Sequence, residues 1–256
     1  MEVVAQTRVV VWQGGSLWLV DAARLEAGES RSTDFHAHHA IQITLGLGGC
    51  FRLVGHDGSS ATRDAVVAAD GLHRFEAEGR IGLLFVEPES RLGRAVAARH
   101  IAGDLTELSP SPLLSAELDA FKSFDWRAAD SEVVTWGRRL IALMAGEERA
   151  DIPDYRIRKV IAWAAERLDG TLSLSDAVPV AGLSSSRLRH LFVEQTGLPF
   201  KSYLLWLRLT RAVAIVAAGS SLTTAAHEAG FSDSAHLSRT FRRMFGIAPT
   251  ALRMFT

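Results

Sequence analysis

Gly230-Phe231-Ser232-Asp233-Ser234-Ala235-His236-Leu237-Ser238-Arg239-Thr240-Phe241-Arg242-Arg243-Met244-Phe245-Gly246-Ile247-Ala248-Pro249 reads as the turn and second helix of a helix-turn-helix. Gly230 permits the positive φ that a sharp turn between helices needs. Asp233 is a good N-cap, because its carboxylate accepts from the first free backbone N–H groups. Leu237, Phe241 and Met244 recur at helical spacing and predict a buried stripe. Ser234, Ser238, Arg239, Arg242 and Arg243 fall on the remaining face, where short polar side chains and arginines suit base edges and phosphates. Gly246 ends the helix and Pro249 can open another. Taken alone, the same stretch also fits a surface helix of an ordinary α-helical domain.

A second copy separates these readings. Gly182-Leu183-Ser184-Ser185-Ser186-Arg187-Leu188-Arg189-His190-Leu191-Phe192-Val193-Glu194-Gln195-Thr196-Gly197 aligns with it: Gly182 matches Gly230 at a shift of 48, and Phe192 and Gly197 match Phe241 and Gly246 at 49. A short helix precedes each glycine, over 177–181 and 224–229. Two copies of short helix, glycine turn and basic helix are far harder to obtain by chance than one. A long helix over 199–218 joins them, with Phe200, Tyr203, Leu204, Leu207, Ala214 and Ile215 toward a core and Lys201, Arg208 and Arg211 as its cations. At ~1.5 Å per residue it spans roughly 30 Å, close to the ~34 Å turn of B-DNA. Two reading helices so spaced can enter successive major-groove segments on one face of the duplex, which decides for DNA over a plain surface helix.

The charge distribution agrees. The chain of 256 residues has a net charge of −1. Residues 154–256 carry 13 Lys and Arg against 7 Asp and Glu, a net of +6, and residues 1–153 carry 15 against 22, a net of −7. Only the C-terminal part is suited to a polyanion. Hydrophobic residues make up 48%, enough for real cores. Cys50 is the single cysteine; it forms no internal disulfide and is expected to pack as a small hydrophobe in a reducing compartment. The N-terminus has neither a basic leader nor a long apolar run, and no apolar stretch reaches the ~18–20 residues of a membrane span. The expectation is a soluble, cytoplasmic protein.

Residues 1–88 read as short strands broken by turns. Val9-Val10-Val11-Trp12 and Leu17-Trp18-Leu19-Val20 flank Gly14-Gly15 as a hairpin. Further strands are expected at 40–45, 50–54, 65–69 and 81–86, a spacing that suits a small sandwich or barrel. Inside lies Phe35-His36-Ala37-His38-His39-Ala40-Ile41-Gln42-Ile43-Thr44-Leu45. On a strand, His36, His38, Gln42 and Thr44 share one face, and Ile41, Ile43 and Leu45 the other. His73 is the candidate for completing a site with His36 and His38. His39 faces away, as ordinary surface or packing. The pattern resembles that of the cupins, in which a His-x-His with a Glu four residues on joins a later His. Gln42 stands where the Glu would be, and a neutral amide is a poorer ligand for a divalent cation. Three readings stay open: a small-molecule pocket lined by His36, His38, Gln42, Thr44 and His73 with no metal, which is the leading one; a metal site; or histidines that only satisfy hydrogen bonds in a polar interior.

Helical pattern follows over 91–101, 112–124 and 131–145. Three helices offer more apolar surface than one barrel needs, so either one forms a homodimer interface or all of it is intramolecular core. Residues 146–153, polar and ending in Pro153, form the expected linker.

Residues 154–256, through Ala225-Ala226-His227-Glu228-Ala229 and the opening stretch, resemble the AraC/XylS family of bacterial transcription regulators. Ala181-Gly182-Leu183-Ser184-Ser185-Ser186-Arg187-Leu188 resembles the family's first repeat. The resemblance implies an α+β chain: a cupin-like sensing barrel over 1–88, a helical extension over 89–150, and an all-α DNA-binding domain over 154–256 with two helix-turn-helix units joined by a long helix. It implies base contacts by Ser186, Arg189 and His190 in the first reading helix and by Ser234, Ala235, Ser238 and Arg239 in the second. Arg189 and Arg239 are best suited to bidentate contact with guanine. Ser185, Arg187, Lys201, Arg242 and Arg243 are assigned to phosphates. Pro179 departs from a regular helix in the first repeat, and a kink or irregular turn is expected there. The implied function is a transcription regulator, activator or repressor, controlled by a small effector, with double-stranded DNA as partner and RNA polymerase as a second one if it is an activator. No cofactor, metal, catalytic residue or membrane is expected. The competing reading is a cupin-type metal-dependent enzyme fused to a DNA-binding domain.

Overall fold

The computed structural model describes residues 5–22, 32–146 and 153–254. The expected linker therefore lies, apart from its ends, outside the described residues. The chain divides into two compact units, one of Met1–Ala150 with Phe241–Thr256 and one of Asp151–Thr240.

The first unit is built on an antiparallel sheet. β1 (Ala5–Trp12) and β2 (Gly15–Ala22) form the expected hairpin. β3 (Ile41–Gly46), β4 (Cys50–Gly55), β5 (Ser60–Ala61), β6 (Ala65–Val67) and β7 (His73–Val86) follow. β7 is the organising strand. Its first half pairs with β4 and its second half with β2 and β3. Gly79, at φ 74°, stands where it passes from one partner set to the other.

Alternation on β2, β3 and β7 sorts side chains onto two faces. Leu17, Leu19, Ile41, Ile43, Leu84 and Val86 are buried with α1 (Arg91–His100), α2 (Pro112–Lys122) and α3 (Asp130–Ala145). β8 (Leu105–Glu107) pairs with β6. Val96, Phe121, Trp136, Leu140 and Met144 supply the helix side of this core, and the Trp136 ring stacks on Phe121 at 3.3 Å between centroids. The apolar stripes of all three helices are thus used within the unit, leaving Leu113 (73% exposed) and Leu92 (41%) as the large apolar side chains they show to solvent.

Two expectations for this unit are corrected. Cys50 is exposed, because alternation in β4 puts Phe51 and Leu53 inward and Cys50 with Arg52 outward. His39 does face away from its neighbours, but it is buried (3% exposed) and paired with Glu89 at 3.0 Å. Burial lowers the affinity of His39 for a proton, yet Asp70 and Glu89 outweigh it and raise its pKa to about 9.

The second unit contains α4 (Tyr155–Ala165), α5 (Leu174–Ala181), α6 (Ser185–Thr196), α7 (Phe200–Ala217), α8 (Leu222–Glu228) and α9 (Ser234–Phe245) as far as Thr240. Ile157, Val160, Leu188, Phe192, Tyr203 and Leu204 form its core. α5 begins with a reciprocal cap between Ser173 and Asp176. It runs as one assigned helix through Pro179, so the unit keeps its helix there and does not become an irregular turn: an eight-residue helix forgoes only one internal bond at that position. Gly182 and Gly230 both take positive φ, 64° and 79°. At Gly230 the constraint is double, since a Cβ would meet the Leu168 carbonyl oxygen and the Arg208 Nε at 3.0 Å. Arg208 donates to the Leu168 and Gly170 carbonyls at 3.1 and 2.8 Å, which makes it a tie for the turn after α4 rather than a free cation.

Gly230→Ala is expected to destabilise the second unit by at least ~1–2 kcal/mol from the left-handed backbone alone, read as a lower urea midpoint. Glu89→Gln removes the nearer carboxylate from buried His39 and leaves Asp70 at 3.8 Å, and is expected to cost up to ~3–5 kcal/mol; equal urea midpoints for variant and parent would refute the ion pair.

Candidate DNA interface and barrel pocket

In α6 the N-cap is Ser184, whose Oγ accepts from the Arg187 backbone N–H at 3.3 Å. Leu188, Leu191 and Phe192 are buried. Ser185, Ser186, Arg187, Arg189 and His190 are all exposed, so every residue assigned to the first reading helix lies on its solvent side. Lys201 is exposed in the first turn of α7.

In α9 the cap is Asp233 as expected, with its Oδ1 accepting from the His236 N–H at 2.6 Å. That bond, with the Ser232 hydroxyl, holds the carboxyl of Asp233 below its usual range. Ala235, Arg239 and Arg243 are exposed, and Ser234 and Ser238 are half-buried. The Ser238 hydroxyl donates to the Ser234 carbonyl at 2.8 Å, so it is engaged within the helix. The inner stripe is Leu237, Phe241 and Phe245. Met244, expected there, is half-buried, because successive steps of four carry the stripe to Phe245 instead. Arg242 pairs with Asp34 through Nε and a terminal nitrogen, at 3.1 and 2.9 Å.

The strand-like row of histidines is achieved differently from the expectation. Regular β3 begins only at Ile41. His36 is instead joined to His73 by an isolated bridge with backbone bonds of 2.8 and 3.0 Å. The outcome is nonetheless a cluster. His36, His38 and His73 are 5%, 2% and 1% exposed, with ring centroids 4.2 Å apart for His36–His73 and 5.3 Å for His38–His73. His38 Nε2 lies 3.0 Å from Gln42 Oε1, and Gln42 Nε2 donates to Thr44 Oγ1 at 2.9 Å. All five residues expected to line a site are therefore brought together. Burial is the main reason the three rings resist protonation: His36 falls to about 4 and His73 to about 2, each also opposed by a neighbouring ring, and His38 is lowered too.

Next to the cluster is a mainly apolar cavity of about 90 Å³, with Trp18, His36, Gln42, Phe85, Phe245 and Ile247 among its lining residues. Phe245 packs on Trp18 at 4.9 Å and on His38 at 5.8 Å between centroids. Beyond it the chain makes a short 3-10 turn, Pro249–Ala251, and β9 (Leu252–Met254), which adds to β1 in parallel. None of Phe245, Ile247 or β9 is singled out for the pocket by sequence, because each sits in or beside a stretch already read as a DNA-binding helix. Phe245→Ala is expected to cost ~3–5 kcal/mol and to alter the emission of the adjacent Trp18; an unchanged urea midpoint would show that the ring is not packed there.

Residues 179–254 match the family described as "Helix-turn-helix domain". Over 113 residues the chain is 34% identical to the uncharacterized HTH-type transcriptional regulator YidL of Escherichia coli (strain K12), covering 44% of this chain and 38% of that one. Over 234 residues it is 26% identical to the HTH-type transcriptional activator RhaS of Klebsiella pneumoniae (strain 342), covering 87% of this chain and 82% of that one. The alignment with the RhaS of Escherichia fergusonii spans 40% of that relative, so several of these matches take in well under two thirds of the relative's length. The fold is similar to that of ToxT from Vibrio cholerae, with a TM-score of 0.57 at 11% identity over 93% of this chain and 97% of that one. Among the described residues no helix is long and apolar enough to cross a membrane. With capped, glycine-turned helix pairs in duplicate, residues 179–254 carry a helix-turn-helix domain, and the chain is similar to transcription regulators such as RhaS.

Proposed function

We propose that the chain is a sequence-specific DNA-binding transcription regulator whose DNA-reading half answers to a small molecule bound beside the N-terminal sheet. The observation that carries this reading is that α9, the second reading helix, ends in Phe245, a wall of the cavity. The space left is about 90 Å³, less than the ~150 Å³ of a cavity that holds benzene. An effector larger than a small ring has to displace Phe245 or Ile247. Binding then distinguishes two placements of the end of α9, which is what ligand control requires. The Arg242–Asp34 pair supports the same reading. Both partners are well exposed, 64% and 63%, and exposed pairs contribute only ~0–1 kcal/mol. Arg242 is readily exchanged between Asp34 and a DNA phosphate.

The lining chemistry calls for an effector with an apolar body and one hydrogen-bonding end, met by His36 and Gln42. A ToxT structure is described as bound to unsaturated fatty acid; that likeness is one of fold, and the effector class here rests on the cavity. The named relatives are transcription regulators, which supports a role without catalysis, and the description of RhaS as a transcriptional activator supports activation as the mode. Arg189 and Arg239 read bases, and Arg187, Lys201 and Arg243 hold phosphates, with Arg242 joining them when released.

Selection of duplexes from random-sequence DNA by the full chain tests the reading. A defined motif is expected, and recovery of unselected sequence would refute it. Arg239→Ala is expected to weaken binding to that motif by ~1–3 kcal/mol and to relax one position of it. The log of the binding constant should fall with log salt by about 0.9 per phosphate neutralised. Medium-chain carboxylates and benzoates, added to the complex, are expected to shift its affinity for the motif in the parent and less in Phe245→Ala.

A further inference from the structure

The cavity lies wholly within the first unit, and its polar end has one chemical character. Among the described residues that line it, none is Lys, Arg, Asp or Glu. Its polar side chains are Trp18, Ser32, Thr33, His36 and Gln42, and most of their donors are already engaged. Trp18 Nε1 donates to Ser16 Oγ at 3.1 Å, and the Ser32 hydroxyl to the Thr33 carbonyl at 2.9 Å. The Gln42 amide is held between His38 and Thr44. The Thr33 hydroxyl accepts from the Phe75 N–H at 2.9 Å. The donors left for a ligand are the Thr33 O–H and one N–H of Gln42, both neutral.

His36 offers the opposite. Its Nδ1 lies 2.9 Å from the Asp34 carbonyl oxygen and 3.3 Å from the Thr33 hydroxyl. A carbonyl oxygen only accepts, so Nδ1 carries the ring hydrogen and Nε2 presents a lone pair. His73 repeats the arrangement behind it. Its Nδ1 lies 2.9 Å from the Gly71 carbonyl oxygen, and its Nε2 is buried with no hydrogen-bond partner. The two rings are 4.2 Å apart between centroids. The titratable and charged groups around His36 are His38, His73 and Asp34, with Arg242 paired to Asp34. Burial and the His38 ring outweigh Asp34 and hold His36 down to about 4, so it remains an acceptor at neutral pH.

We propose that the effector binds through a neutral hydroxyl-type donor, its O–H given to His36 Nε2, and that a carboxylic acid occupies this cavity only in its protonated form. The proposal rests on the reading that the cavity takes a small effector, and it goes beyond it by fixing the charge and the donor sense of the ligand's polar end. An ionised carboxylate would give up its hydration with no cation to replace it and would set its own lone pairs against that of His36. An alcohol, a phenol or an undissociated acid meets the same lone pair with a hydrogen. With an ordinary carboxyl pKa of ~4, an acid in solution at pH 7 has to take up a proton from water before it binds, which weakens its apparent affinity by about 1000-fold. An alcohol carries no such penalty. The cavity thus selects by protonation state as well as by shape, and His36 is the residue that sets the selection.

The test is calorimetric titration of the full chain, without DNA, with benzyl alcohol, toluene and benzoate at about pH 6 and pH 8. Benzyl alcohol is expected to bind equally at both, which also controls for any change in the protein over that range. It is expected to bind more tightly than toluene by roughly 2–12-fold, the worth of one hydrogen bond. Benzoate is expected to lose about 100-fold in affinity between the two conditions and to take up one proton per ligand bound. His36→Leu is expected to remove the advantage of benzyl alcohol over toluene. If that variant does not fold, the ligand series on the parent decides alone. Benzoate affinity that is the same at both pH values, benzoate binding tighter than benzyl alcohol at the higher one, no advantage of the alcohol over toluene, or no binding of any of the three by the parent overturns the proposal. A DNA motif recovered by a chain that binds none of these ligands would remove this proposal and leave the regulator standing. Binding in the stated pattern by a chain that selects no motif would do the reverse.

Discussion

Alternation along β2, β3 and β7 is the constraint on which the first unit depends. A strand cannot place neighbouring side chains on the same face. Leu17, Leu19, Ile43 and Leu84 therefore meet α1–α3, and Trp18, Val20, Gln42, Leu83 and Phe85 face the other way. The helix-covered face is closed by burial of Phe121, Trp136, Leu140 and Met144. The opposite face carries a mixed set, with aromatic rings beside an amide and histidines. A surface of that composition needs a cover, since its rings lose contacts if left in water. The segment ending in β9 provides it, with Phe245 against Trp18 and Phe85 and three residues of strand pairing to β1.

That arrangement gives the end of α9 two demands to meet. Its outward side is basic, with Arg239 and Arg243 exposed, and its inward stripe continues to Phe245. The high polarity contrast between these sides follows from a step of four that never leaves the stripe: Leu237, Phe241, Phe245. Any occupant of the cavity competes with Phe245 for the same apolar contacts. A helix so placed responds to what fills the cavity through packing alone, and the weak Arg242–Asp34 pair adds little resistance.

The histidine cluster is buried and resists protonation, in contrast with the neighbouring His39, whose affinity for a proton Asp70 and Glu89 raise. Adjacent residues in the chain thus shift in opposite directions, His38 down and His39 up. Burial opposes the proton at all four rings, and the difference is that Asp70 and Glu89 outweigh it at His39 while it prevails at His36, His38 and His73.

Much of the second unit was legible in the sequence because its determinants are local. Gly182 and Gly230 mark turns that demand positive φ, Ser173 and Asp233 cap the helices that follow, and the buried positions recur at helical spacing. These depend on residues within a few positions of one another, so order along the chain suffices to read them. The grouping of His36, His38, Gln42 and Thr44 was equally legible from a period of two, although the backbone around His38 is not regular strand. Other features required residues distant in sequence. Cys50 turned outward because of β4's register with β7, His39 became buried because Glu89 closes over it, and Met244 yielded its place in the stripe to Phe245. The sequence by itself determined the duplicated helix pairs and the two-faced strands. Only the tertiary structure decided that Phe245, Ile247 and Leu252 roof the cavity, because apolar burial between distant segments leaves no periodic trace in either one.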